Sequence, residues 1–192
     1  MWRWSKLSLG NALLGLLNYR SMTGYDLKKT FDNTIDFFWS AQMSQIYREL
    51  NNLEQKGLVL SKIEAQEKRP DRKVYQLTEE GRNTFLNWLN KFPNQLSQNN
   101  RSRFLMRVFF SSKIKLDELS FEITRYKKEK ENQLKYLEKV QQGINDYSKD
   151  KKYKTETFYW ELILKKGNKD NSADIEWAEE CLQLIEEKKQ KK

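Results

Sequence analysis

The chain has 192 residues, enough for one large domain or two small ones, and 38% are apolar, a share that supports a core but leaves much solvated surface. It carries 36 Lys plus Arg against 27 Asp plus Glu, a net charge of +9 that favours an anionic partner, either nucleic acid or a membrane surface. Histidine is absent and Cys181 is the only cysteine, which removes the usual general base, most metal chemistry, a Cys–His nucleophile pair and any intramolecular disulfide. No catalytic residue, metal or cofactor is therefore expected. The lone thiol reads as a small buried hydrophobe in a reducing, cytoplasmic compartment.

The opening MWRWSKLSLGNALLGLL places Arg3 and Lys6 before an apolar run, the outline of an export signal. Asn11 interrupts that run, no small-x-small site follows, and Tyr19-Arg20 come directly after, so no export signal is expected. No stretch approaches the ~20 apolar residues of a membrane span, and no membrane partner is expected. Leu7 to Leu17 read instead as a short helix with almost no polar face, which must be covered nearly all round.

Thr23 opens a second helix, with Asp26 three residues on in a box-like cap. Leu27 and Phe31, four apart, face inward, and Tyr25 is the bulky group that can reach outward. Phe37, Phe38 and Trp39 form an aromatic plug before a third helix. That helix, QMSQIYRELNNLEQKG at 42–57, repeats Met43, Ile46, Leu50 and Leu53 at helical steps, giving one apolar stripe. Its other side carries Ser44, Gln45, Tyr47, Arg48, Asn51 and Asn52, near a cap at Ser40 or Gln42. Such side chains both donate to and accept from base edges, and a helix N-terminus favours phosphate. Gly57 stops the helix.

Beyond Gly57 the periodicity changes. Leu58 to Ile63 and Lys73 to Leu77 run near period two, separated by EAQEKRPDR, which reads as a hairpin tip bearing Lys68, Arg69, Arg72 and Lys73. A solvated loop explains that charge equally well. A basic-tipped hairpin directly after a polar-faced third helix is nonetheless the layout of a winged helix-turn-helix, with the helix in the major groove and the wing along the backbone. Thr78-Glu79-Glu80-Gly81 opens a fourth helix through Phe85, Trp88 and Leu89 that ends before Pro93. Residues 94–100 read as a linker, which separates a domain at 1–93 from one at 101–189.

In the second half Phe104 to Phe110 form a compact apolar helix. From Leu116 to Tyr147 a heptad seam runs through Leu119, Ile123, Tyr126, Leu137, Val140 and Ile144, with Lys130 and Gln133 as its polar members. Because little else in the chain is long enough to cover this seam, it is expected to meet a second subunit. Thr157 to Lys166 are predicted as a helix stopped by Gly167, and Ser172 as the cap of a last helix whose apolar face includes Ile175, Trp177, Cys181, Leu182 and Ile185. Trp177, Leu182 and Ile185 join the expected dimer interface. The fold class expected is mainly α: a winged helix-turn-helix with a small two-stranded wing, then a helical dimerisation domain with a long coiled-coil-like helix.

The chain resembles the PadR family of bacterial transcriptional regulators. The resemblance rests on LLGLL at Leu13 to Leu17, GYDL at Gly24 to Leu27, FW at Phe38-Trp39, QIYRELNNLEQKGLV at Gln45 to Val59, and RPDRKVYQLTEEG at Arg69 to Gly81. The second half is similar, more loosely, to that family's helical dimerisation domain, by way of FLMRVFF, the long charged helix and IEWAEECLQLIE. The resemblance implies a cytoplasmic homodimer that binds double-stranded DNA at a near-palindromic operator, usually as a repressor, and is often released by a small molecule. It implies that Gln45 and Tyr47 touch DNA from the recognition helix, and that Tyr25, Arg72 and Lys73 contact backbone phosphates. The family often approaches the recognition helix through glycine or proline, whereas this chain has Ser40-Ala41-Gln42-Met43-Ser44. That departure leaves open which of Ser40, Gln42 and Ser44 caps and which reads bases.

Trp2, Trp4, Phe104, Trp160 and Trp177 are candidates to line an apolar cavity where subunits meet, with walls suited to a small, flat aromatic effector. Two other classes of function fit the same residues: a nucleic-acid-binding protein with little sequence preference, and a winged-helix adaptor that grips a protein partner.

Overall fold

The computed structural model describes residues 3–65, 71–93 and 102–191, with side chains from Leu9 onward. Residues 1–98 and 99–192 form two compact units. In the first, α1 spans Arg3–Tyr19, longer than the apolar run alone suggests. Leu13, Leu14, Leu16 and Leu17 are all buried, so the helix is covered on most of its sides. A two-residue strand β1 (Met22–Thr23) leads into α2 (Gly24–Thr34). The Thr23 hydroxyl accepts the Asp26 N–H at 3.0 Å and donates to the Asp26 carboxylate at 2.8 Å, a box-like cap in which the carboxylate takes the hydroxyl rather than the Thr23 backbone N–H.

The recognition-type helix α3 runs Met43–Gln55 and buries Ile46, Leu50 and Leu53. Its end is a complete Schellman turn. Gly57 takes φ 69°, Leu58 N–H reaches Leu53 O at 2.9 Å, and Gly57 N–H reaches Glu54 O at 3.0 Å. This turn aims the chain into β2 (Val59–Glu64), which pairs antiparallel with β3 (Arg72–Leu77) from Val59 opposite Leu77 to Glu64 opposite Arg72. β1 adds to the far side of β3, Met22 opposite Tyr75, so the sheet has three strands in the order β1-β3-β2 rather than the two of the expected wing alone.

Helix α4 (Glu79–Leu89) is capped by the Thr78 hydroxyl, which accepts the Gly81 N–H at 2.9 Å and donates to Gly57 O at 2.8 Å. The end of α3 and the start of α4 are thus fastened to each other. Gly81 sits so close to this turn that a Cβ there would lie 2.0 Å from Leu58 O. Leu13, Leu27, Phe31, Ile46, Leu50, Val59 and Tyr75 form the core between these elements. The expected aromatic plug is only partly formed: Trp39 packs against the core, whereas Phe38 is exposed and meets Phe37 edge-on.

The second unit holds α5 (Arg103–Phe109), α6 (Leu116–Ser148) and α7 (Lys154–Gln190). α7 is one continuous helix of 37 residues, not two. Gly167 does not stop it and Ser172 does not start another. Interior glycine costs about 1 kcal/mol relative to alanine, and packing along α6 outweighs that. The Asn168 and Asn171 amides also donate back to Leu164 O and Gly167 O. α6 and α7 run antiparallel, fastened by Asp117–Lys189 at 2.8 Å, Lys127–Glu179 at 2.6 Å and Lys130–Asp174 at 2.8 Å.

That arrangement corrects the expected dimer seam. Ile123 and Ile185 are buried in a cluster with Ala178, against which Leu116, Leu119, Tyr126, Trp177 and Leu182 pack. Leu137, Val140 and Ile144 are also buried within the single chain. Ile123, Leu137, Val140 and Ile144 of the seam read as waiting for a partner subunit are thus covered within the chain, while Leu116, Leu119, Tyr126, Trp177 and Leu182 are only partly buried. The apolar side chains that remain uncovered here are others, among them Phe109, Phe110, Phe121 and Leu184.

Candidate nucleic-acid interface

α3 faces solvent with the residues that the sequence singled out. Ser44, Gln45, Tyr47, Arg48 and Asn51 are exposed, while Ile46 and Leu50 between them anchor the helix. Gln42 is the N-cap, and its N–H donates to Gln45 Oε1 at 2.7 Å. Gln45 is exposed, its side-chain carbonyl is engaged in its own helix start, and its amide donors are not used in that contact. Ser40 is exposed ahead of buried Ala41, outside the helix.

Tyr25, in the first turn of α2, is 62% exposed, and Tyr47 is 41% exposed. The Tyr47 ring lies directly on Gly24, where a Cβ would meet Cε1 at 2.4 Å, so the position before Tyr25 has no room for a side chain. They border an open cleft of about 590 Å³ between α2, α3 and β3, lined also by Asn51, Arg72, Lys73 and Tyr75. Lys68 and Arg69 at the wing tip lie outside the described residues.

Of the wing cations that the sequence singled out, the two that are described are both engaged. Arg72 Nε and Nη2 reach one oxygen of Glu64 at 2.9 and 2.8 Å, across the hairpin register. Lys73 Nζ lies 2.7 Å from Glu54 Oε2, near the end of α3, and 5.0 Å from the Tyr75 ring centroid. Glu54 also accepts the Ser61 hydroxyl of β2. The hydrogen bond from Lys73, then that from Ser61, holds the Glu54 carboxyl below the usual carboxylate range. The bond to Glu54 raises Lys73, and burial raises the Tyr75 phenol. Arg48, by contrast, has no ion-pair partner among the described residues.

Of the aromatics expected to line one cavity, Phe104 and Trp177 lie together within this chain and Trp160 lies apart. Phe104 stacks on Tyr126 with centroids 4.6 Å apart, and both meet Trp177 edge-on at 6.3 and 5.7 Å. Trp160 belongs to a different group, with Tyr147 at 5.7 Å and Tyr153 at 6.4 Å. Trp160 and Trp177 are separated along α7 by about 25 Å at the helical rise per residue. Trp2 and the side chain of Trp4 lie outside what the structure describes. Within the Phe104 group, burial and then the bond to Asp174 push the Tyr126 hydroxyl up to about 12.

Residues 13–87 match the Transcriptional regulator PadR-like family, and residues 100–186 match the Virulence activator alpha C-term family. The negative transcriptional regulator PadR of Bacillus subtilis is 25% identical over 91% of this chain and 96% of its own length. The crystal structure of B. subtilis PadR in complex with operator DNA superposes with a TM-score of 0.76, at 27% identity, over 93% of this chain and 99% of that one. The complex of the same protein with p-coumaric acid gives 0.72 at 26% identity, over 93% and 95%. The chain belongs to the PadR-like family of transcriptional regulators.

In this PadR-like chain the family match spans the core of the first unit and reaches into α4, so it covers the elements that position Tyr25, Tyr47 and the wing strands. Sequence reasoning overlooked Glu54 and Glu64 at this face. Glu64 was within reach of a register argument, since it faces Arg72 across the hairpin. Glu54 and Lys73 lie on a helix and a strand 19 residues apart, and no local spacing connects them.

Proposed function

We propose that this PadR-like regulator binds duplex DNA as a homodimer at a near-palindromic operator and represses transcription in the cytoplasm, without enzymatic activity of its own. The observation that carries the reading is the exposed polar face of α3, with Gln45 and Tyr47 outward, flanked by Tyr25 and by Arg72 and Lys73 of β3. The operator complex of B. subtilis PadR and that protein's designation as a negative regulator support it. In this reading residues 1–93 carry the DNA contacts and 101–189 the dimer. Gln45 contributes base discrimination, with Ser40, Gln42, Ser44 and Arg48 beside it. Tyr25, Lys68, Arg69, Arg72 and Lys73 meet phosphates, each neutralised phosphate adding about −0.9 to the slope of log affinity against log salt.

The homodimer would use the uncovered apolar side chains of the second unit rather than the α6–α7 seam. A small aromatic effector is proposed on the strength of the p-coumaric acid complex of the relative, with Phe104, Tyr126 and Trp177 as the candidate wall.

Binding of labelled duplexes tests the division of labour. Arg72→Gln with Lys73→Gln is expected to weaken binding on all sequences alike, and Gln45→Ala to change which sequence is preferred, since one good base contact contributes roughly 1–3 kcal/mol of discrimination. Equal losses on selected and random DNA from both changes would contradict the proposal.

A further inference from the structure

Lys73 has two suitors. Glu54 Oε2 holds its ammonium at 2.7 Å, and the same carboxylate accepts the Ser61 hydroxyl, so one acid ties the end of α3 to both wing strands. Arg72 is held in the same manner by Glu64. Neither pair is sealed from solvent: the side chains of Lys73 and Glu54 are 43% and 31% exposed. A phosphate oxygen can therefore reach Lys73, but only by displacing or sharing with a carboxylate already there. Displacement leaves Glu54 as an uncompensated anion beside the DNA backbone, where like charges repel.

We propose that Glu54 is an internal competitor for DNA phosphate at Lys73 and so sets the affinity of the wing for the duplex backbone. The inference rests on the DNA-binding reading above and gives that face a built-in brake. Glu64 exerts the same restraint on Arg72 across the end of the hairpin. Had Glu54 served to aim Lys73 at a phosphate, removing its charge would weaken binding. Competition requires the opposite sign. An exposed ion pair is typically a weak one, so the brake is modest and can be released by a strong anion. Its effect is sequence-independent, because phosphates are alike at every base step.

The test is fluorescence anisotropy of the full-length protein on a short labelled duplex of mixed sequence, comparing wild type, Glu54→Gln, Lys73→Gln and the double variant. Glutamine keeps an oxygen for the Ser61 hydroxyl and removes only the charge. Glu54→Gln is expected to bind about 2–5-fold tighter, the fold-change matching the worth of an exposed ion pair. That gain is expected to shrink to near nothing when Lys73 is already glutamine. Binding no tighter than wild type, or a gain undiminished by Lys73→Gln, would overturn the inference and leave the DNA-binding reading in place. Failure of the wild type to bind duplex at low salt would remove the reading itself, and the inference with it. Should Glu54→Gln prove unfolded by circular dichroism, Glu64→Gln puts the same claim at Arg72, with tighter binding expected and unchanged or weaker binding against it.

Discussion

In the N-terminal unit Leu13, Leu27, Phe31, Ile46, Leu50 and Val59 are shielded on all sides by helices and a small sheet. In the C-terminal unit two long helices cover each other along one seam only, and Phe109 stays 80% exposed and Phe121 63% exposed. A helix pair is a single contact between two stripes, and apolar side chains on any other face need a further layer. The first unit therefore closes its core on itself and presents the polar face of α3, although Phe38, Ile63 and Phe92 stay exposed there too, while the second leaves much of its apolar surface where a second copy can cover it. DNA contact and assembly are divided between them on this account.

That contrast can be pressed from both ends. Leu137→Ala, deep in the α6–α7 seam, is expected to lower stability by about 3–4 kcal/mol through lost burial and a cavity, read by chemical denaturation. Gly81→Ala is expected to cost the N-terminal unit about 2–3 kcal/mol by crowding a packed site, because the new Cβ meets a backbone oxygen that cannot rotate away. Both losses belong to the folded chain, so neither should vanish at high protein concentration. Phe121→Ser should behave differently, leaving the unfolding of isolated chains nearly unchanged while raising the dimer dissociation constant about tenfold, as loss of one buried apolar side chain implies. Sedimentation across a dilution series would show it, and an unchanged dimer would move the interface elsewhere.

The smallest expected effect is a pH dependence at the wing. Glu54 titrates below its ordinary range when folded, so its contribution is present at neutral pH and is lost as pH falls through that lowered value. Lys73 titrates above its ordinary range, so its contribution holds below the usual lysine value and is lost as pH rises through the raised one. Between those limits the pair adds a flat increment, held under about 1 kcal/mol by its exposure to solvent. Thermal melts of Glu54→Gln should therefore show a shallower acid limb than wild type.

How legible each region was in the sequence follows from the range of the interactions involved. The box-like cap at Thr23, the helix start at Thr78 and the stop at Gly57 are contacts within a few residues, and each lies where its spacing placed it. β1 could not be read this way, since Met22 finds its partner at Tyr75. In the second unit one misreading produced another. Gly167 and Ser172 look like punctuation that would break α7 into two short helices, and only such a break leaves the α6 seam without a cover long enough within the chain. The local cost of a glycine was legible, but the packing that overrides it was not. At the candidate interface, the types of side chain on α3 are readable, whereas the carboxylate that holds Lys73 depends on how helix and strand meet.

The central claim is that a pair of α3 helices, carried by one dimer, reads two grooves of a single duplex. Selection of bound duplexes from a random pool by the full-length protein, followed by footprinting of the enriched sequence, addresses it most directly. Two inverted half-sites centred about one turn apart, ~34–36 Å, are expected, with protection of both lost on Gln45→Ala and Tyr47→Ala. Enrichment of no sequence, or of a single undivided site protected equally by those variants, would contradict it.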